Sequence, residues 1–219
     1  MKDMSATAKQ YSIPILMYHS IATPSAREVM RSLHVTPSQF RKQMRLLKTL
    51  GYKGLSMREL LPYLKGDKTG KVVGITFDDG YVNNIEEALP SLETNGFSAT
   101  CYVVTSALGK DNYWDRHLGI PTNPIMCADQ IRKWVDAGNE VGCHTHCHAS
   151  LLNLTKSKIE AELLKSRAIL EKITKQQITN FCYPYGHFNE LIVKTVGSMG
   201  FDTATTMLRG KASASDHIL

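Results

Sequence analysis

The chain has 219 residues, 42% of them hydrophobic and 21% charged, which suits one domain with a sizeable core and excludes a fibrous or low-complexity protein. The formal net charge is +6, but the positives are scattered and no nucleic-acid-binding motif accompanies them, so no nucleic-acid partner is expected. No run approaches the roughly 18 apolar residues of a membrane span, and five cysteines, an odd number, do not read as a disulfide framework.

The opening segment, MKDMSATAKQYS, is polar and has no apolar signal core, so the expectation is a cytoplasmic, reducing setting. Residues 13–18, IPILMY, read as a buried strand ending just before His19. Thr36 followed by Pro37 marks a helix start, Phe40, Met44, Leu47 and Leu50 follow at helical spacing, and Gly51 ends the run. A short helix is expected over residues 57–64 and a strand over 71–77, KVVGITF, leading into Asp78-Asp79-Gly80. Residues 85–93 read as a helix closed near Gly96, and 98–104, SATCYVV, as a strand. Residues 106–124 form a long loop, a length that in a compact domain tends to carry function or disorder. A helix over 128–137 precedes a short strand, 140–143, and then the run CHTHCH. A long amphipathic helix over 155–172, a strand over 181–183, a helix over 190–199 and a last strand over 202–206 complete the chain.

Short apolar strands alternating with helices predict an α/β protein with a parallel sheet covered by helices. With no repeat and no linker, residues 1–219 are expected to form a single domain. His19, Asp78 with Asp79, His144 and Tyr185 each lie just past the end of an expected strand. A (β/α) barrel or an open doubly wound sheet collects its active site at that end.

Asp78-Asp79-Gly80 can be a plain turn, or one carboxylate can face a metal while its neighbour faces a substrate or water. His144 and His148, four apart, would share one side of a helical turn, with His146 pointing elsewhere. Two histidines and one carboxylate leave open coordination positions, the pattern of a catalytic metal. Cys143 and Cys147 with a histidine could instead make a structural zinc site, although Cys101, Cys127 and Cys182 offer no second pair; cysteines as plain core residues are the third reading. His19 is either a satisfied structural histidine or part of the site. Pro184 and Tyr185, in FCYPYG, fit a turn or a sugar-binding wall, and Trp114-Asp115 in the long loop fit a sugar platform or a loop anchor.

TFDDG, then HTHCH about 65 residues later, then YPYG about 40 beyond, resembles the polysaccharide deacetylase family, the family-four carbohydrate esterases, in order and spacing. The resemblance implies a distorted, partly open (β/α)7 barrel. It implies Asp78 as general base, Asp79, His144 and His148 as ligands of one divalent transition metal (zinc, or cobalt, nickel or iron), and the Tyr185 backbone N–H as an oxyanion donor. LMYHS, residues 16–20, resembles the N-terminal element of the permuted subgroup that includes poly-N-acetylglucosamine deacetylases, which implies His19 as general acid. The alternative acid position, a Leu-x-His near the C-terminus, is poorly matched by Asp216-His217-Ile218-Leu219. The chain departs from the family at Cys182, where members often carry an Arg that orients the base through an aspartate; Asp115 or Asp129 is then the expected tether. The C-terminus falls where relatives continue. The implied partner is an acetylated amino-sugar polymer or oligosaccharide, de-N-acetylated with release of acetate. An O-acetyl esterase, or a relative that only binds carbohydrate, is the alternative.

Overall fold

In the computed structural model, residues 12–26, 30–119 and 122–212 are described; residues 1–11 and the C-terminal Asp216-His217-Ile218-Leu219 lie outside the described residues. The strands are β1 (Ile13–Tyr18), β2 (Lys53–Leu55), β3 (Val72–Phe77), β4 (Thr100–Val103), β5 (Glu140–Cys143), β6 (Asn180–Cys182), β7 (Thr203–Thr205) and β8 (Lys211–Ala212). They form one sheet in the order β7-β6-β5-β4-β3-β1-β8, with β2 joined to the start of β3. The first seven strands pair in parallel, and β8 runs antiparallel, against β1. The sheet is curled into a distorted barrel that stays open among the described residues, as the family resemblance implied.

Among the described residues six α-helices cover it: α1 (Pro37–Thr49), α2 (Met57–Leu64), α3 (Leu89–Asn95), α4 (Ala128–Asp136), α5 (Lys156–Thr174) and α6 (Glu190–Ser198). α1 starts where its sequence says it should. The Thr36 side chain accepts the Gln39 N–H at 3.3 Å and Pro37 occupies the first position. Its buried face carries Phe40 and Met44, and Phe40 meets Tyr18 of β1 edge-on at 5.1 Å and Phe77 of β3 at 5.7 Å. This aromatic cluster lies at the carboxyl ends of β1 and β3, directly before His19 and Asp78, and so fixes where those two strands end.

At the opposite end of the sheet a buried carboxylate does the tying. Glu140, at the start of β5, accepts the Thr100 hydroxyl at 2.6 Å, the Arg58 backbone N–H at 2.9 Å and the Asn180 amide. It thereby joins β4, β5, β6 and the N-terminus of α2, where a negative charge suits the helix dipole. Gly142 in β5 is required by packing: a Cβ there would come within 2.4 Å of the Tyr102 ring.

The single helix expected over residues 85–93 is a π-helical turn, Asn84–Ala88, running into α3, which Gly96 closes in the left-handed conformation (φ 64°). Within the long loop, Thr105–Ala107 and Tyr113–Leu118 form short 3₁₀ turns. No helix among the described residues is long and apolar enough to cross a membrane.

Candidate metal centre and active site

The segments that follow β1, β3, β5 and β6 converge at one rim of the sheet. The Asp78 N–H donates to the Tyr18 carbonyl at 2.9 Å, which stitches the ends of β1 and β3 together. His19 and Asp78 therefore face each other, with His19 Nε2 at 3.8 Å from Asp78 Oδ2. The Asn83 side chain holds the segment after His19, accepting the Ile21 N–H and donating to the Ser20 hydroxyl, both at 2.9 Å. Asp79 turns away from Asp78 because its backbone is left-handed (φ 72°), and Gly80 continues the turn (φ 86°).

Asp79 Oδ1 is 3.4 Å from His144 Nε2 and 3.3 Å from His148 Nε2. All three residues are buried, and their ligand atoms lie within 4.8 Å of one another. His144 Nδ1 sits 2.9 Å from the Cys182 carbonyl, which can only accept, so that nitrogen carries a proton and Nε2 is the ring atom turned toward Asp79. Asp79 Oδ1 itself has no hydrogen-bond partner. A buried carboxylate oxygen without a hydrogen-bond partner, faced by two imidazole nitrogens, is an arrangement that a cation completes. Two imidazoles and a carboxylate suit zinc, cobalt, nickel or iron and leave positions open for water and substrate.

The two adjacent carboxylates are driven apart electrostatically. Burial raises the pKa of Asp78 above the ordinary carboxylate value, which the charges of His19 and His144 only partly offset. Burial would raise Asp79 as well, but its contacts with His144 and His148 hold it well below the usual range. One group is thus suited to take a proton and the other to stay an anion, the division that distinguishes a base from a ligand.

The partnership of His144 with His148 does not come from a helical turn, as their spacing suggested. β5 ends at Cys143, and the histidine pair is brought round by a loop in which Thr145 (φ 63°) and His148 (φ 54°) are left-handed. For a β-branched threonine this is a costly conformation, held because the surrounding contacts over-determine it. With Asp79 and Tyr185 (φ 59°), four of the five non-glycine residues with positive φ among those described lie at this rim. His146 does point elsewhere: its Nδ1 pairs with the Thr105 hydroxyl at 2.9 Å. Cys143 is buried in the core and Cys147 is exposed, and neither joins the candidate ligand group.

The aromatic residues differ from an open sugar platform. Trp114 is only 8% exposed and stacks on His148 with ring centroids 4.6 Å apart, so one face of its indole packs the imidazole. Pro184 is buried and begins the turn that carries Tyr185. Tyr185 is the exposed aromatic, at 41%, standing edge-on to His148 at 4.5 Å. Asp115 is half-buried and accepts the Asn112 amide at 2.8 Å; burial, reinforced by Asp79, raises its pKa. Asp129 is exposed on α4, where it pairs with Arg132, and so does not tether Asp78. The contact to Asp78 comes instead from Cys182, whose Sγ is 3.5 Å from Asp78 Oδ2. Burial, with Asp78 alongside, pushes that thiol up to about 11, so it stays protonated and donates. Sequence reasoning marked Cys182 as a departure from the family but did not anticipate its two contacts, through Sγ to Asp78 and through its carbonyl to His144. Asn83 carried no signal, being one of many asparagines that could end a turn.

The sequence profile of the family described as polysaccharide deacetylase matches residues 65–204. YxkH of Bacillus subtilis, a polysaccharide deacetylase by name, is 31% identical over 209 residues, covering 94% of this chain and 68% of its own. A Staphylococcus aureus poly-beta-1,6-N-acetyl-D-glucosamine N-deacetylase is 29% identical over 176 residues, 76% of this chain and 58% of its own, so this chain spans little more than half of that relative. Among solved structures, the Streptococcus pyogenes deacetylase PplD in complex with acetate superposes with a TM-score of 0.81 at 28% identity, covering 94% of this chain and 88% of that one.

Proposed function

The chain belongs to the polysaccharide deacetylase family, and from that premise we propose that it is a metal-dependent hydrolase removing N-acetyl groups from N-acetylglucosamine-containing poly- or oligosaccharides. The observation that carries the reading is the buried Asp79-His144-His148 group beside a second carboxylate, Asp78, that is not part of it. A pure carbohydrate binder has no need of this division. The S. aureus relative is named for removal of N-acetyl groups from a glucosamine polymer, which favours the amide over the ester as substrate.

A divalent cation held by Asp79, His144 and His148 would supply Lewis acidity, polarising the acetamide carbonyl and lowering the pKa of a water. Asp78 takes the proton of that water as its oxygen bonds to the carbonyl carbon. The Tyr185 backbone N–H is the donor to the carbonyl oxygen as negative charge develops there. His19, protonated, gives its proton to the nitrogen as the C–N bond breaks. Acetate and a free amino sugar leave. Asp78 and His19 start 3.8 Å apart, close enough to serve opposite ends of one amide.

The test is acetate release from N-acetylglucosamine oligomers, poly-N-acetylglucosamine, peptidoglycan and O-acetylated xylan, with and without chelator. N-acetylated substrates should release acetate, chelation should stop it, and zinc or cobalt should restore it. Faster release from O-acetylated xylan makes the protein an esterase. Sugar binding without any turnover makes it a binder.

A further inference from the structure

The loop between the two histidines is held by a residue that is not itself part of the site. Glu162 lies in the second turn of α5, and one of its oxygens, Oε2, accepts two successive backbone N–H groups, from His146 at 2.9 Å and from Cys147 at 2.8 Å. The carbonyls of the same two residues are taken from the other side: His146 by the Ser106 N–H at 2.9 Å, and Cys147 by the Tyr113 hydroxyl at 3.2 Å. Four backbone groups between the ligands are therefore fixed, two by α5 and two by the long loop. The flanking residues are the left-handed Thr145 and His148. A charge-assisted bond to a backbone N–H is stronger than a neutral one, and two converging on one oxygen hold that oxygen in a shallow anion-binding concavity.

We propose that Glu162 is a positioning residue for the metal centre: by clamping the His146 and Cys147 amides it holds the strained loop in the one conformation that aims His144 Nε2 and His148 Nε2 together at Asp79. The inference rests on the metal-dependent reading above. No other side chain reaches both amides among the hydrogen bonds of the described residues. Without Glu162 the two amides would turn to water, and Thr145 and His148 would be free to relax out of the left-handed region. His148 would then swing relative to His144, which is fixed separately by the Cys182 carbonyl. Partners that orient metal ligands from outside typically change metal affinity by about 10–100-fold when removed.

The experiment compares the parent chain with Glu162→Ala, Glu162→Gln and, as a helix-surface control, Glu160→Ala, whose carboxylate pairs with Lys156 on the same helix face. Cobalt(II) is titrated into each metal-free protein against a competing chelator, and the visible d–d spectrum is recorded at saturation. Glu162→Ala should bind cobalt about 10–100-fold more weakly with an altered spectrum. Glu162→Gln keeps an acceptor oxygen and should recover most of the affinity and the parent spectrum, and Glu160→Ala should match the parent. If Glu162→Ala does not fold, Glu162→Asp, shorter by one methylene, carries the same expectation of weakened binding. Parent-like affinity and spectrum in the folded alanine or aspartate variant, whatever its melting temperature, overturn the proposal while leaving the metal reading intact. A parent chain that takes up no cobalt overturns both.

Discussion

Asp78 and Asp79 are neighbours in sequence with opposite electrostatic fates, and that contrast gives the sharpest tests at the residue scale. Asp78→Asn should keep the metal and lose turnover, by at least the roughly 10²–10⁴-fold typical of a general base. Asp79→Asn should lose the metal itself. Metal content measured on both variants decides it; the reverse pattern exchanges their roles. Cys182 adds a pH signature. Its thiol donates to Asp78 Oδ2 and so favours the ionised carboxylate against the burial that raises its pKa. As the proposed base, Asp78 acts deprotonated, so activity should fall as pH drops through its pKa. Cys182→Ala removes the donor, raises that pKa, and should move the acidic limb of the kcat/KM profile to higher pH. An unmoved limb means the thiol only fills space.

At the scale of elements, what the sequence made legible is what burial writes into it. β1 is a continuous apolar run and β5 is apolar or small after its first residue, and the expected bounds, residues 13–18 and 140–143, coincide with those observed. α1 announced itself through Thr36, Pro37 and Gly51. β2 and β8 escaped notice because three residues, KGL, and two, KA, are too short to show any period. The histidine loop was paired correctly for the wrong reason. An i, i+4 argument assumes a regular backbone, and Thr145 and His148 break it with positive φ, which nothing in their residue types foretells. Glu140 was legible only as the start of a strand; its role depends on Thr100, Arg58 and Asn180, brought from 40 or more residues away. Glu140→Ala leaves those donors buried without an acceptor and should cost about 3–5 kcal/mol of unfolding free energy, as breaking a buried charged network does. Urea denaturation measures it. A loss under about 1 kcal/mol would class Glu140 with exposed ion pairs.

For the molecule as a whole, the site is also a cross-tie. Asp79 follows β3 and the two histidines follow β5, with β4 lying between, while the Cys182 carbonyl of β6 holds His144. A cation bound to Asp79, His144 and His148 would therefore link strands that span the centre of an open sheet, and it would bind the folded state only, because the unfolded chain scatters these residues. Mass action would then give about 2.7 kcal/mol of added stability at a free metal concentration of about 100 times Kd. In a chain of this size each kcal/mol raises the melting temperature by roughly 2–4 °C, so zinc should raise Tm by roughly 5–11 °C over the chelated protein. The shift should vanish in Asp79→Asn and His148→Ala, persist in Asp78→Asn, and persist in Cys147→Ser, whose exposed thiol lies outside the ligand group. Differential scanning fluorimetry across these four variants reads the ligand set without any substrate. A Tm indifferent to zinc in the parent removes the cation from the centre. A shift lost in Cys147→Ser but kept in His148→Ala replaces the open two-histidine site with a thiolate one, and the hydrolytic chemistry argued from open coordination positions goes with it.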